Sequence, residues 1–177
     1  WAFSTDNLRR APVEVSDILA AIETKLRQLA QAARAGRRQV RVRVVGRAAG
    51  LPASLVQAIH AAEAASANSR GTCLTIALAY GGRDEIADAV RALLAEHLRA
   101  GDTLDRAIEA ISTDAIGRYL YSADLPDPDL IVRTSGEARL SGFLLWQSVY
   151  SEFYFSDVYW PAFRRIDFLR AIRSYQQ

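Results

Sequence analysis

The chain has 177 residues, half of them apolar, and a formal net charge of +2. That length and composition fit one folded domain with a substantial core, and so small a charge argues neither for nor against nucleic acid. A single cysteine, Cys73, excludes an internal disulfide, and with only His60 and His97 beside it there is no zinc-binding set.

Lys25 is the only lysine, so any anion site must be built from arginine. Cys73 lies in an apolar run and reads as a small core residue. No stretch is long or apolar enough to span a membrane, and no signal peptide is visible. The opening, Trp-Ala-Phe-Ser-Thr-Asp-Asn, reads as a strand end running into a loop. The expectation is that an N-terminal portion is absent.

Trp1 to Phe3 is predicted as the end of a buried strand. Pro12 then opens a helix in which Val15, Ile18, Ile22, Leu26 and Leu29 recur at helical spacing, running to about Ala35. Gln39 to Gly46 alternates Arg with Val, a strand with one buried face. Pro52 starts a second helix carrying Leu55, Ile59 and Ala62. Cys73 to Ala79 is almost continuously apolar and is predicted as a central strand buried on both faces. Tyr80-Gly81-Gly82-Arg83 turns the chain into a third helix with Ile86, Val90, Leu93 and Leu94 inward. Thr103 to Leu120 holds two short helices, with Thr113 as the N-cap of the second. Pro126-Asp127-Pro128 is a turn, Leu130 to Arg133 a strand, and Ser141 caps a helix through Trp146. Glu152 to Phe155 is a short strand and Ile166 to Tyr175 a final helix.

Strands alternating with helices imply an α/β fold with a mostly parallel sheet flanked by helices on both faces. Such sheets bind ligands beyond the carboxyl ends of their strands. Three polar clusters would then share one rim: Ser4-Thr5-Asp6-Asn7, Tyr80-Gly81-Gly82-Arg83, and Arg133 to Ser141. With no repeat, low-complexity tract or linker, residues 1–177 read as a single domain.

Arg133 and Arg139 with Ser141, at a Ser/Gly turn that frees backbone N–H groups, suit a phosphate: the guanidinium fork matches its oxygens. Ion pairs with Glu137 or Asp129 suit the same arginines, and residue type leaves both readings open. Glu152, flanked by Tyr150, Phe153 and Tyr154, is either the exposed face of an edge strand or a ligand for a hard cation such as Mg²⁺. Ser4 and Asn7 could bond a ligand at the rim or simply form the turn before Pro12. A lone Gly-Gly at 81–82 permits close backbone approach but is equally a strand–helix turn needing positive φ. His60 and His97 read as surface residues on helices. No Walker-type loop, GxGxxG or nucleophile elbow is present.

Taken together, these clusters resemble the cis-prenyltransferases, the Z-isoprenyl or undecaprenyl diphosphate synthases. WAFSTDNLRR is similar to that family's aromatic-Ala-Phe-Ser-x-Glu-Asn segment, AYGGRDEI to its Asn-Tyr-Gly-Gly-Arg segment, and DLIVRTSGEARLSGFLLWQSVYSEFYF to its long C-terminal signature. The spacing also fits, so the resemblance covers essentially the whole chain. It implies the cis-prenyltransferase fold, not a Rossmann fold, with an apolar tunnel walled by the Val15–Ala35 helix through Ile18 and Ile22.

It also implies a condensation, in which isopentenyl diphosphate adds to an allylic diphosphate such as geranyl or farnesyl, a Z double bond forms and pyrophosphate leaves with the help of Mg²⁺. By motif position Arg133, Arg139 and Ser141 would hold isopentenyl diphosphate, and Glu152 would bind Mg²⁺. Phe3, Ser4, Asn7 and Arg10 would lie near the reacting ends, Ser4 and Asn7 as catalytic groups, Phe3 and Arg10 as substrate-binding ones. A cytoplasmic homodimer is implied, with no nucleic acid and at most peripheral membrane contact through a lipid product.

Departures from the family pattern bear on activity. The Asp-Gly-Asn-Gly-Arg-Trp segment, which supplies an essential Asp for Mg²⁺, is not in these residues, nor is an Arg-x-Gly tail after Gln177. Ala79 stands for the usual Asn, Leu8 for a frequent Trp, Ala138 for a His and Gly142 for an Asn. SGFLLWQS and YWPAFRRIDFLRAIR resemble short-chain Z-farnesyl members, whereas the small Ala2 leaves a tunnel open, so a short or medium product is expected. The alternatives are a long-chain undecaprenyl-type synthase, an irregular prenyl-coupling or terpene-type enzyme on the same fold, and a non-catalytic subunit.

Overall fold

A computed structural model describes residues 1–36 and 39–177. The chain divides into two compact units, Trp1–Gly81 and Gly82–Gln177.

The first unit is built on parallel strands β1 (Phe3–Ser4), β2 (Val40–Val45) and β3 (Thr72–Tyr80), in the order β1-β3-β2. Helices α1 (Pro12–Arg34) and α2 (Ala53–Ser66) connect them. The register pairs Val42 with Leu74 and Phe3 with Leu78. Because side chains alternate along a strand, Phe3, Val42, Val44, Ile76 and Leu78 fall on one face. There they meet Leu19, Leu26 and Ala30 of α1 and Leu55, Ala58, Ile59 and Ala62 of α2. Of the predicted α1 stripe Leu26 is fully buried and Val15, Ile18, Ile22 and Leu29 are partly buried, the centre of the buried face falling on Leu19, Leu26 and Ala30.

Two hydrogen bonds lock β2 onto α2. The Val42 N–H donates to the buried Ser66 hydroxyl at 2.9 Å, and the Val44 N–H to the Glu63 carboxylate at 2.8 Å. These donors sit on the edge of β2 away from β3, where a ladder partner is missing among the described strands.

The arginines of β2 point the other way, so Arg41 and Arg43 share the opposite face with Cys73 and Thr75. Here the expected doubly buried strand is only half realised. Residues 77–80 of β3 are buried, but Cys73 and Leu74 are exposed. β1 reaches only Leu78 and Tyr80, so the first half of β3 has a neighbour on one side alone. Cys73 is therefore a surface thiol and not a core residue.

The second unit carries a parallel pair, β4 (Leu130–Arg133) and β5 (Glu152–Phe155). Around it lie α3 (Gly82–Arg99), α4 (Leu104–Glu109), α5 (Thr113–Gly117) and α6 (Arg165–Tyr175). The inward stripe of α3 is Gly82, Glu85, Ala89 and Leu93. The second short helix starts one residue earlier than predicted. Ser112 is its cap, its hydroxyl accepting the Ala115 N–H at 3.1 Å. The predicted helix from Ser141 to Trp146 does not form. Residues 141–150 are consecutive turns, because Ser141 (φ 50°), Gly142 (φ 87°) and Leu144 (φ 47°) take left-handed conformations that no right-handed helix accepts. The strands at 130–133 and 152–155 form as predicted.

Candidate functional site

In the first unit the polar groups gather at the carboxyl ends of β1 and β3, where Ser4 pairs with Tyr80. Ser4 ends β1 and caps a short 3₁₀ turn, Thr5–Arg9. Its hydroxyl accepts the Asp6 N–H at 3.0 Å, while its own N–H donates to the Asn7 side-chain carbonyl at 2.9 Å. This reciprocal cap uses the oxygen of the Asn7 amide and turns its NH₂ the other way. Phe3 is buried and anchors the turn. Arg10 pairs with Glu14 one helical turn on, at 2.5 Å, both side chains half exposed. Ser4 and Asn7 thus form the turn before Pro12, with the Asn7 amide nitrogen taking no part in the cap.

In the second unit Arg133 ends β4. Glu137 stands between it and Arg139, with one carboxylate oxygen 2.5 Å from Arg139 Nη2 and 3.6 Å from Arg133 Nη2. The Arg133 Nε is buried without a hydrogen-bond partner, and the Arg139 side chain is 70% exposed. The ion pairs expected from residue type and an accessible guanidinium pair therefore coexist.

The turn does not free its backbone donors as expected. The Ser135 N–H donates to Val158 at 3.0 Å and the Gly136 N–H to Ser156 at 2.9 Å, continuing the ladder past β5. An anion here meets side chains: two arginines and the exposed hydroxyl of Ser141.

Glu152 is exposed at the start of β5. The register sets it opposite Leu130, while Arg133 lies opposite Phe155. Three residues of strand put the two Cα rows about 10 Å apart along the sheet. Glu152 and Arg133 thus occupy opposite ends of one ladder. As a hard, solvent-facing oxygen ligand, its carboxylate fits Mg²⁺, which needs only one or two carboxylates when water and phosphate oxygens complete its shell. Among the described residues no group of three His, Cys, Asp or Glu is placed to hold a metal by itself.

Of the two readings of the Gly-Gly turn, close backbone approach holds and positive φ at Gly82 does not. Gly82 is not left-handed; a Cβ there would lie 2.7 Å from the Gly142 carbonyl oxygen and 2.8 Å from Leu145 Cγ. The close approach is by protein backbone: the Gly82 N–H donates to the Gly142 carbonyl at 2.8 Å. His60 is exposed as expected, and the Nδ1 of His97 lies 2.8 Å from Asp102.

Two residues were not singled out from sequence, Glu85 and Gln147. Both are buried, and they bond each other. The spacing did not mark Glu85, because the expected inward residues were Ile86, Val90, Leu93 and Leu94, whereas the buried face is Gly82, Glu85, Ala89 and Leu93.

The family model described as putative undecaprenyl diphosphate synthase matches residues 1–177. The chain belongs to this cis-prenyltransferase family. An isoprenyl transferase of Deinococcus radiodurans is 52% identical over 176 residues, 99% of this chain and 64% of that protein. A (2Z,6E)-farnesyl diphosphate synthase of Thermobifida fusca is 50% identical over 175 residues, 99% of this chain and 66% of that one. The chain thus spans about two thirds of the length of such relatives. Among solved structures, lavandulyl diphosphate synthase from Lavandula x intermedia, in complex with dimethylallyl diphosphate, matches with a TM-score of 0.89 at 32% identity, covering 99% of this chain and 74% of that one. The α/β fold with parallel strands flanked by helices is that of the cis-prenyltransferases.

Proposed function

We propose that the protein condenses isopentenyl diphosphate with an allylic diphosphate, geranyl or farnesyl, to a Z-configured prenyl diphosphate of short or medium length. The isopentenyl double bond attacks the allylic carbon, pyrophosphate departs, and a proton is lost as the new double bond forms. The observation that carries this reading is the pair of guanidinium groups of Arg133 and Arg139 converging on a single carboxylate oxygen. Two fixed cations that share one anionic oxygen suit a diphosphate, whose charge must be met by fixed positive groups.

In this reading Arg133, Arg139 and the Ser141 hydroxyl bind isopentenyl diphosphate, and Glu137 yields to it or shares the arginines with it. Glu152 holds Mg²⁺, which when bound neutralises charge growing on the leaving pyrophosphate. Phe3, Ser4, Asn7 and Arg10 serve the reacting ends, Asn7 through the amide NH₂ that its cap leaves outward. Ile18 and Ile22, at the margin of the core, line an apolar tunnel for the growing chain. The 50% identity to a (2Z,6E)-farnesyl diphosphate synthase favours a short product.

No helix among the described residues is long and apolar enough to cross a membrane. A cytoplasmic homodimer with at most peripheral contact to membrane lipid, and no nucleic-acid partner, completes the proposal. The exposed apolar side chains of Val149, Tyr150, Tyr159 and Trp160 supply a surface such a dimer would bury.

The test is incubation of the full-length protein with geranyl or farnesyl diphosphate, isopentenyl diphosphate and Mg²⁺, followed by product sizing. Failure to incorporate isopentenyl units would sink the reading. A second reading, irregular coupling of two allylic units, is favoured by the likeness to lavandulyl diphosphate synthase; a branched product would select it.

A further inference from the structure

One buried carboxylate has no part in the chemistry proposed above. Glu85, in the first turn of α3, is 1% exposed. It accepts the Tyr121 N–H at 2.9 Å and the Gln147 Nε2 at 3.1 and 3.2 Å to its two oxygens. Gln147, itself buried, also reaches the Ser122 hydroxyl at 3.4 Å. From the same helical turn, Gly82 donates its N–H to Gly142. A single turn of α3 therefore grips the segment after Ser141 at two points, its start and its sixth residue.

That segment needs gripping. Ser141 and Leu144 hold φ of 50° and 47°, a left-handed backbone that disfavours residues with a Cβ by about 1–2 kcal/mol each. Such conformations persist only where the surroundings over-determine them. A carboxylate inside a protein keeps its donors fixed in return, because losing one leaves charge unsatisfied in a poorly polarisable interior. The Glu85–Gln147 contact is thus stiff, and it lies on the chain directly after the residues assigned to the diphosphate.

We propose that Glu85 is a positioning residue for the diphosphate loop: through Gln147, and beside the Gly82–Gly142 bond, it holds residues 141–147 in their left-handed turns and so sets where Ser141 and Arg139 present their donors. This rests on the assignment of Arg133, Arg139 and Ser141 to isopentenyl diphosphate. Glu85 touches no substrate; it acts through backbone that does.

The experiment compares full-length wild type with Glu85→Ala, Gln147→Met and Leu93→Ala. The last is a control in the same α3 stripe that empties core without touching the polar network. At a temperature where circular dichroism shows each variant folded, KM is measured for both substrates. Glu85→Ala and Gln147→Met are expected to raise KM for isopentenyl diphosphate about tenfold or more, as displacement of a positioned group by a fraction of an ångström does. KM for the allylic diphosphate should stay within about twofold, and the double variant should be no worse than the worse single one, because both remove the same contact. Leu93→Ala should move neither KM. An unchanged isopentenyl KM in either polar variant, or an equal rise in Leu93→Ala, would overturn the proposal. If Glu85→Ala does not fold, Gln147→Met carries the test. If wild type incorporates no isopentenyl units, it is the proposed function that fails; the variants are then read by affinity for inorganic pyrophosphate, where the same ordering is required.

Discussion

The amide nitrogen of Gly82 lies 2.8 Å from the carbonyl oxygen of Gly142, sixty residues further along the chain. The helix following one motif is thereby bonded to the turns following another, with no room for a side chain between them. Gly82→Ala would place a methyl 2.7 Å from that oxygen. Overpacking against backbone cannot be relieved by a rotamer change, so a loss of about 2–3 kcal/mol is expected, read as a lower denaturant midpoint with an unchanged m-value.

Arg133 should matter more than its ion pair suggests. Removing a guanidinium that makes charge-assisted bonds to a phosphate forfeits about 1.5–3 kcal/mol, so Arg133→Ala should weaken isopentenyl diphosphate binding roughly ten- to a hundredfold. Calorimetry at fixed ionic strength measures it. An unaltered dissociation constant would remove Arg133 from the site. Arg133→Lys should recover only part of the loss, because an ammonium cannot make the forked contact.

Gly46, just after β2, has φ 124° and would set a Cβ 2.0 Å from the Leu78 carbonyl oxygen. Gly46→Ala should therefore destabilise by more than ~3 kcal/mol. The disruption falls at the end of β3 next to Ala79, itself left-handed at φ 46°. Asn tolerates that conformation better than Ala, which gives a physical reason for the family's preference at this position. A melting temperature unchanged by Gly46→Ala would contradict the close approach.

Asp167 gives a pH prediction. Its carboxylate caps α6 by accepting the Arg164 N–H at 2.9 Å, with Arg170 at 3.2 Å. The Arg164 backbone bond, and then the arginine charges, hold its pKa below the ordinary carboxylate value. A depressed native pKa contributes stability above the unfolded value, roughly 3.9, and that contribution is lost as pH falls through the folded pKa. Asp167→Asn should thus melt below wild type at neutral pH, and the two curves should converge below about pH 4. Parallel curves down to pH 2 would refute it.

Much of the architecture was legible because its signals are periodic. The α1 helix, the Arg/Val alternation of β2 and the two short strands of the second unit sit where spacing puts them, though the buried face of α1 centres on Leu19, Leu26 and Ala30. Local backbone geometry was less legible. Nothing in SGFLLWQ announces left-handed turns at Ser141 and Leu144, since Leu and Gln are good helix formers that the tertiary bonds from α3 override. The Ser135 and Gly136 donors looked available because their carbonyl partners, Val158 and Ser156, lie 23 and 20 residues further along the chain. At the proposed site, residue types and motif position nominate Arg133, Arg139, Ser141 and Glu152, but the ladder that sets Glu152 at the far end from Arg133 required strand register.

The pairing of β1 with β3 has a kinetic consequence. Phe3 and Leu78 are register partners about 75 residues apart in sequence, whereas β2, α2 and β3 follow one another along the chain and β2 pairs directly with β3. Closing the longer loop carries the larger entropy cost, so the β2–α2–β3 crossover unit forms first and β1 docks onto a prebuilt edge. Ser4 and Asn7 travel with β1. Their amide protons should exchange before those of β2 under native conditions, and the protein would lose the outward donors of this turn through a local opening well before it unfolds.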